Sequence, residues 1–458
     1  MDTSRAARIA LSAIVVLYLL LGTLYAIATP SWQAPDEPAH YNYVRHLAET
    51  GTLPVLTEGD WDQAFIEATV SARFPPEASI APFRYEFHQP PLYYLMAVPL
   101  YQGTQGLGLE QQLIVLRLLS VVLGAGLLVF IYRIVALIFP DRLWAAASAA
   151  FVATLPQHVA MMASVNNDAL AELVLALLLW VSVATLRIGL TTRRAAALGV
   201  GLGIAILTKT TIYLPALAAV VVPFLYFLRA PGPRGALLAR PAVATTAIAL
   251  VLSGPWVLRN AIVYGPLDPF GLARHEAVVI GQPTTAEWVA EFGPLGVAGR
   301  FVTTTFRSFW GQFGWMAVPM PEPIYVALGI LTLFLAGGAV LFFLRILPAG
   351  HSLDASQRWS LGLLAGVLIL VVGGHIGYNL QFVQHQGRYL FPALVPLSTV
   401  AALGAAEWAR RASDWIRRRS RSAGMATDPV QAIGLAAYVL LMAGLSLIAL
   451  FRFVVPNL

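Results

Sequence analysis

Long apolar segments alternate with shorter polar ones along the entire chain. Most of them approach the ~20 residues that a helix needs to cross ~30 Å of hydrocarbon. The pattern therefore predicts an all-α polytopic membrane protein with about eleven transmembrane helices, within a range of ten to thirteen. Segment 92–104 is apolar but short and flanked by proline, so we interpret it as interfacial or re-entrant. The predicted spans are residues 9–28, 113–139, 143–163, 168–188, 195–208, 211–229, 241–262, 322–346, 358–380, 389–411 and 431–453.

Composition agrees with a membrane protein. Only 11% of the residues are charged and 58% are hydrophobic, whereas about a quarter of a typical soluble domain is charged. Many further spans follow the first apolar run, so we expect this run to be a span and not a cleaved signal peptide. The chain has no cysteine, which excludes disulfides and thiolate chemistry but leaves the compartment open.

Charge distribution predicts the orientation. With a cytoplasmic N-terminus, the cytoplasmic segments contain 18 of the 29 Lys and Arg residues but only 6 of the 23 Asp and Glu residues. Short basic loops stay in the cytoplasm. We interpret the basic run at 417–421 as a topology anchor on anionic lipid and not as a nucleic-acid site. The cytoplasmic arginines that carry most of this argument are Arg193, Arg194, Arg229, Arg234, Arg240, Arg410, Arg411, Arg417, Arg418, Arg419 and Arg421.

Two long loops, 29–112 and 263–321, are then external. Both are rich in aromatic residues and proline and contain predicted helices, at 36–50 and 284–292. Amphipathic segments of this kind suit helices that lie in the membrane interface, and Gly51 offers a stop for the first helix. We expect one membrane domain, 1–458, whose external loops form its functional surface.

The first candidate for chemistry is the acidic pair Asp36-Glu37, which prolines flank and His40 follows. Two carboxylates and an imidazole could supply a general base or ligate a divalent cation. The structural alternative is that Asp36 caps the following helix while Glu37 favours its positive end. His40 and Tyr41 are candidates for orienting an acceptor or a metal.

The second candidate is Asp168, in Asn166-Asn167-Asp168 at the start of a span. By itself Asp168 is more simply a helix N-cap. The predicted topology nevertheless places it, with Asn167, on the same membrane face as Asp36. Two acidic sites on one face favour a functional interpretation.

Three cations lie at the predicted outer ends of spans: Lys209, Arg259 and Arg388. Each alone could be an interfacial anchor. Because outer cations are disfavoured statistically, three of them beside acids suggest a phosphate-binding site at headgroup depth. His88 could join them, although a lone histidine before a Pro-Pro turn is more often structural.

These motifs, in this order, resemble the GT-C superfamily of integral-membrane glycosyltransferases, which includes protein O-mannosyltransferases and lipid A aminoarabinose transferases. An Asp-Glu pair in the first external loop is the hallmark of that superfamily, and a bacterial family of predicted membrane proteins shares several of the pieces. The large soluble C-terminal domain of some members has no counterpart here. The matching segments are Asp36-Glu37, His88-Gln89-Pro90-Pro91-Leu92-Tyr93-Tyr94, Asn166-Asn167-Asp168, Leu207-Thr208-Lys209, Trp256 to Gly265 and Gln386-Gly387-Arg388-Tyr389-Leu390-Phe391-Pro392.

The resemblance implies transfer of a sugar from a polyprenyl-phosphate donor to an envelope acceptor (a glycan, lipid or protein), at the outer face of the bacterial cytoplasmic (inner) membrane. Asp36 would be the base, and Glu37 and Asp168 would orient the base or the acceptor or ligate a divalent cation. Asn167 is a further candidate for orienting the acceptor or a metal. Lys209, Arg259, Arg388 and His88 would hold the phosphate, and direct displacement would invert the anomeric centre. A divalent cation, Mg²⁺ or Mn²⁺, is left open. Besides the donor and the acceptor, membrane lipids are expected as partners and nucleic acid is not.

Two alternatives belong to other functional classes. A secondary transporter or flippase would carry ionisable residues within its spans and broken helices in repeated halves, whereas the predicted spans are free of charge in their middles. A non-catalytic subunit of a membrane complex would not need intact Asp36, Glu37 and Asp168.

Overall fold

The computed structural model describes residues 3–229, 235–346, 353–420 and 427–458. Arg234 and Arg421, which entered the charge argument, lie outside the described residues. Short 3-10 helices occur at Tyr85–His88, Thr210–Ile212 and Gly387–Ala393, and a π-helical turn at Ala449–Val454. The α-helices are α1 (Thr3–Ala28), α2 (Glu37–Thr50), α3 (Gln63–Ser71), α4 (Leu92–Gly103), α5 (Leu109–Ile138), α6 (Arg142–Ala153), α7 (Pro156–Met162), α8 (Asp168–Ile188), α9 (Thr192–Ile206), α10 (Tyr213–Arg229), α11 (Gly235–Val263), α12 (Leu272–Val278), α13 (Thr285–Trp310), α14 (Glu322–Ile346), α15 (Ala355–Asn379), α16 (Leu394–Ser420), α17 (Thr427–Ile448) and α18 (Val455–Asn457).

Within the described ranges, nine helices are long and apolar enough to cross a membrane. They coincide with nine of the eleven predicted spans, so the prediction of a polytopic all-α membrane protein is confirmed. The predicted span 143–163 is the pair α6 and α7, which bends by 68°; Pro156 at the start of α7 cannot continue the hydrogen-bonding of α6. The predicted span 195–208 corresponds to α9, which has only 15 residues. Segment 92–104 forms α4, whose 12 residues are too few to span.

Small residues let the long helices pack closely. The helix α14 lies against α16, and a Cβ atom added at Gly404 would overlap the backbone carbonyl of Leu335. The same holds between α9 and α11, where a Cβ at Gly199 would lie 2.5 Å from the Thr245 carbonyl oxygen. Because lipid tails are as apolar as the helices, close van der Waals packing of this kind stabilises helix pairs in a membrane.

The two long connections between spans are folded and lie over one end of the helical layer, which we call the loop face. The first contains α2, α3 and α4, and α5 already begins at Leu109, inside the predicted loop 29–112. The second contains α12, α13 and a two-stranded antiparallel hairpin, Gln312–Phe313 with Val318–Pro319.

Both predicted loop helices are present. In α2, Gly51 is the left-handed C-cap, as expected. Thr284 and Glu287 form a capping box at the start of α13, which continues beyond the predicted residue 292 through a kink at Gly293 to Trp310.

Candidate active site at the loop face

A buried ion pair between Glu37 and Arg117 connects the first loop to the membrane helices. Glu37 accepts hydrogen bonds from Arg117 of α5, at 2.8 Å from Nε and 2.7 Å from Nη2. It also accepts from the backbone N–H groups of Trp32 and Val165. Both side chains are at most 2% exposed. Glu37 is therefore enclosed by donors behind the surface, and this geometry fits an anchor of the loop better than the predicted orienting or metal-binding role.

Asp36, its neighbour, points the other way. The residue is the N-cap of α2 but adopts a left-handed conformation with φ of 67°, and its side chain makes no capping hydrogen bond. Its carboxylate instead accepts from the Tyr85 hydroxyl at 2.8 Å and from Arg388 Nη2 at 2.6 Å. The capping interpretation of this side chain is thus wrong, because the backbone directs it toward the loop face.

Asp168 and Lys209 form a second acid–base pair. The Nζ of Lys209 lies 2.7 Å from Asp168 Oδ1. Asn167 is the N-cap residue of α8 and Asp168 is its first residue, so the N-cap interpretation of Asp168 is also wrong. Lys209 follows the end of α9, where the backbone N–H of Leu92 donates to the Leu207 carbonyl at 3.0 Å. This bond docks the Pro-Pro-Leu segment of the first loop beside the lysine.

The two pairs belong to one electrostatic cluster. Arg388 interacts electrostatically with Asp168 as well as with Asp36, and the charges of His40 and Lys209 both interact with Glu86. Although burial opposes it, Arg388 together with His40 and Tyr85 holds the pKa of Asp36 below its usual value. Four segments that are remote in sequence therefore supply two carboxylates, each with its own cation.

Glu86 is a member of this cluster that the sequence analysis missed. Its Oε2 atom is shielded from solvent and has no hydrogen-bond partner in the described part of the chain. Burial raises its pKa more than the neighbouring His40 lowers it, and Asp36 raises it further. The only available signal was the position of Glu86, two residues before the His88-Gln89-Pro90-Pro91 motif.

Two predicted orienting residues lie close by. His40 is buried, its Nδ1 lies 2.8 Å from the Tyr94 hydroxyl, and burial lowers its pKa. The amide of Asn167 lies 3.4 Å from Gln89 Oε1, and its own Oδ1 is buried without a partner in the described ranges. Tyr41 differs: its hydroxyl donates to Gln112 at 2.6 Å and its ring packs on Trp32 and Tyr101, which makes it part of the loop's packing.

Two predicted phosphate ligands do not fit that role. Burial, with His275 only 4.4 Å away between ring centroids, lowers the pKa of His88 well below its usual value, so His88 is neutral at pH 7 and not a cation. Arg259 donates to the carbonyl of Pro54 at 2.5 Å and lies over the rings of Trp256 and Tyr264. Among the described ion pairs, none joins Arg259 to a predicted acid. Its guanidinium instead holds the backbone of the first loop.

Ionisable groups also lie below the cluster. Glu172, one helical turn after Asp168, is buried 3.0 Å from Nε2 of His158 in α7. The Nδ1 of His158 is buried without a partner in the ranges described. This pair lies near span ends and not in their middles, and the bend between α6 and α7 brings His158 against α8.

The arrangement does not fit a resident divalent cation. Among residues 3–229, 235–346, 353–420 and 427–458, no group of three or more His, Asp or Glu side chains is placed to hold a metal ion. Asp36 and Asp168 each face a cationic side chain, and Glu37 is saturated by donors. Mg²⁺ or Mn²⁺ dependence stays a sequence-based prediction.

Part of the chain is similar to a known protein family. A family model described as dolichyl-phosphate-mannose-protein mannosyltransferase matches residues 104–258. A search of curated protein sequences finds no match.

Among solved structures, the apo oligosaccharyltransferase of Archaeoglobus fulgidus gives a TM-score of 0.54 at 12% identity, over 95% of this chain and 56% of that one. The same enzyme with a tethered acceptor peptide gives 0.53 at 14% identity, over 97% and 54%. ArnT from Cupriavidus metallidurans bound to undecaprenyl phosphate gives 0.49 at 15% identity, over 100% of this chain and 74% of that one. The chain spans about half the length of the archaeal enzyme.

The chain has a polytopic helical fold that is similar, over nearly its whole length, to the archaeal structure. The family match over residues 104–258 and this fold agree with the resemblance to the GT-C superfamily that the ordered motifs indicate.

Proposed function

We propose that this protein transfers a sugar from a polyprenyl-phosphate donor to an envelope acceptor at the outer face of the bacterial cytoplasmic membrane, by inverting displacement. The observation that carries the proposal is the pairing of Asp36 with Arg388 and of Asp168 with Lys209 in one cluster. The Nε of Arg388 is buried and has no partner among the described residues. A phosphate oxygen could accept from this donor while Nη2 remains near Asp36. The matching family is itself named for a lipid-phosphate sugar donor.

In the proposed reaction, the cations and the acids of the cluster have different roles. The acceptor oxygen attacks the anomeric carbon as the bond from that carbon to the phosphate oxygen breaks, and the phosphate leaves with the electron pair. Arg388 and Lys209 stabilise the charge that develops on the phosphate. The acceptor hydroxyl loses its proton to Asp36 as general base.

Binding of the donor before the acceptor would make Asp36 a stronger base. In the free protein, Arg388 lowers the pKa of Asp36, which makes this carboxylate a weak base. When the monoanionic phosphodiester of the donor shares the guanidinium, part of this positive charge is neutralised and the pKa of Asp36 rises toward its usual value. Donor binding would thus activate the carboxylate that receives the proton. Asp168 would hold Lys209 in place.

The test compares sugar transfer by the purified full chain and its variants, with radiolabelled polyprenyl-phosphate sugars and a cell-envelope extract as acceptor. We expect Asp36→Asn to abolish transfer while donor binding is retained, and Lys209→Ala to weaken donor binding. Arg84→Gln is the matched control, because Arg84 is a 47% exposed cation of the same loop that pairs with Asp60. Equal transfer by wild type and Asp36→Asn would refute the assignment of the base.

One observation favours a transporter of lipid-linked sugars as the second candidate: the buried His158–Glu172 pair within the helical layer. Such groups are typical of proton-coupled pathways. Proton-dependent movement of a labelled sugar lipid across vesicles, in the absence of any transfer product, would favour this candidate over the glycosyltransferase.

A further inference from the structure

A groove of about 840 Å³ lies between α6, α14, α16 and α17, remote from the acidic cluster. Its volume is within the ~300–1,000 Å³ of small-molecule sites. It follows α16 from Ala401 to Ala412. Because α16 begins at Leu394, next to Arg388, and rises ~1.5 Å per residue, the far end of the groove lies roughly 25 Å below the loop face.

The walls are apolar, but two buried polar atoms of lining side chains, besides the Tyr438 hydroxyl, have no hydrogen-bond partner in the described ranges. Alanines of α16 form the floor, and Trp144, Phe334 and Tyr438 are among the sides. The indole Nε1 of Trp144 and the amide Oε1 of Gln431 are both shielded from solvent without a hydrogen-bond partner in the described ranges. A buried donor and a buried acceptor without partners are costly. Both would be satisfied by a ligand that carries ester or hydroxyl oxygens.

The deep end of the groove is positively charged. Glu407, whose side chain is 0% exposed, accepts hydrogen bonds from Arg345, Arg410 and Arg411. Asp414 pairs with Arg410 and Arg417. Among the described residues, four arginines therefore face two carboxylates at this end of the groove. Arg411 lines the groove and is 45% exposed.

We propose that this groove binds an anionic phospholipid of the membrane leaflet opposite to the loop face, with its phosphate at Arg411 and an acyl chain along the alanines of α16. Trp144 and Trp408, which line the same end, are the aromatic residues expected at headgroup depth. Trp144 Nε1 would donate to a glycerol ester oxygen, and Gln431 Oε1 would accept from a headgroup hydroxyl. The site is separate from the proposed reaction and does not depend on it.

The test measures the lipid retained by the purified full chain, by native mass spectrometry after extraction from equimolar phosphatidylglycerol and phosphatidylcholine. We expect wild type to retain phosphatidylglycerol preferentially. Gly434→Leu adds a side chain to the groove wall at a position where a Cβ meets nothing within 4 Å, and should abolish the retention. Arg411→Gln should reduce the preference about fivefold.

Two variants serve as controls. Gly444→Leu adds the same side chain to the same helix, also where a Cβ meets nothing within 4 Å, but outside the groove. Arg193→Gln removes an exposed arginine elsewhere. Equal retention of both lipids by wild type, or equal retention by Gly434→Leu and Gly444→Leu, would overturn the proposal. So would displacement of phosphatidylglycerol by an equimolar amount of polyprenyl phosphate, which would make the carrier lipid the occupant.

Discussion

The buried pair of Glu37 and Arg117 gives the sharpest stability prediction. Glu37→Gln keeps the size of the side chain but leaves the Arg117 guanidinium, 2% exposed, without a counter-charge. The new amide NH₂ group would also face two donors, because each Glu37 oxygen accepts one guanidinium N–H and one backbone N–H. Breaking a buried ion pair by removing one partner costs about 3–5 kcal/mol. We expect a loss of this size in the free energy of unfolding.

Arg117→Gln should cost at least as much, because Arg117 also donates to the backbone carbonyls of Ala26, Thr29 and Pro30. The assay is denaturant unfolding of the solubilised full chain, followed by tryptophan fluorescence. The double variant should cost clearly less than the sum of the single ones, since the two residues are coupled directly.

Arg187→Gln is the matched control. Arg187 pairs with Asp354, whose side chain is 55% exposed, and the loss of such a pair costs at most about 1 kcal/mol. If Glu37→Gln abolished sugar transfer while its unfolding free energy stayed within about 0.5 kcal/mol of wild type, our anchor assignment would be refuted and Glu37 would belong to the chemistry.

Three further predictions concern the cluster and its support. Tyr85→Phe removes a hydrogen bond that lowers the pKa of Asp36, so the acid limb of the transfer rate should move to higher pH, and an unchanged limb would exclude Asp36 as the base. Gly387→Ala places a Cβ atom into the backbone of α13 at Thr305 and Phe309, and should displace Arg388 and lower donor affinity, whereas Gly373→Ala, which meets nothing within 4 Å, should not. The raised pKa of Glu86 means that the stability it contributes is full below pH 4.5 and is lost as pH rises through its folded pKa; wild type should therefore lose stability relative to Glu86→Gln on going to higher pH, and parallel curves would contradict the assignment.

The candidate site was only partly predictable from the sequence. Asp36, Asp168, Lys209 and Arg388 stand at span ends, and the charge-derived topology places them on one face. The sequence did not show which acid pairs with which cation, because Asp36 and Arg388 are 352 residues apart. Hydrophobic periodicity indicates which face of a helix is buried. It does not indicate which distant loop packs against that helix.

The local sequence was misleading for residues whose side chains could serve either of two structural roles. Glu37 and Asp36 are adjacent, yet the left-handed conformation of Asp36 turns one carboxylate to the loop face and leaves the other inside. His88 was a candidate phosphate ligand because it precedes the Pro-Pro turn of the first loop, but its neighbour in space is His275. Glu86 was passed over because a lone glutamate in a loop is usually solvated.

The sequence by itself determined the membrane class, the positions of nine spans, the starts of the loop helices and the membrane face on which the acids and cations gather. These depend on apolar length, capping and charge bias, which act over one or two helical turns or over a whole loop. Only the tertiary structure decided that Glu37 pairs with Arg117, that His158 meets Glu172 across the bend after α6, and that a groove opens along α16. Those contacts depend on how helices pack, because in a membrane the packing is selected by shape and by buried polar partners and not by hydrophobic burial alone.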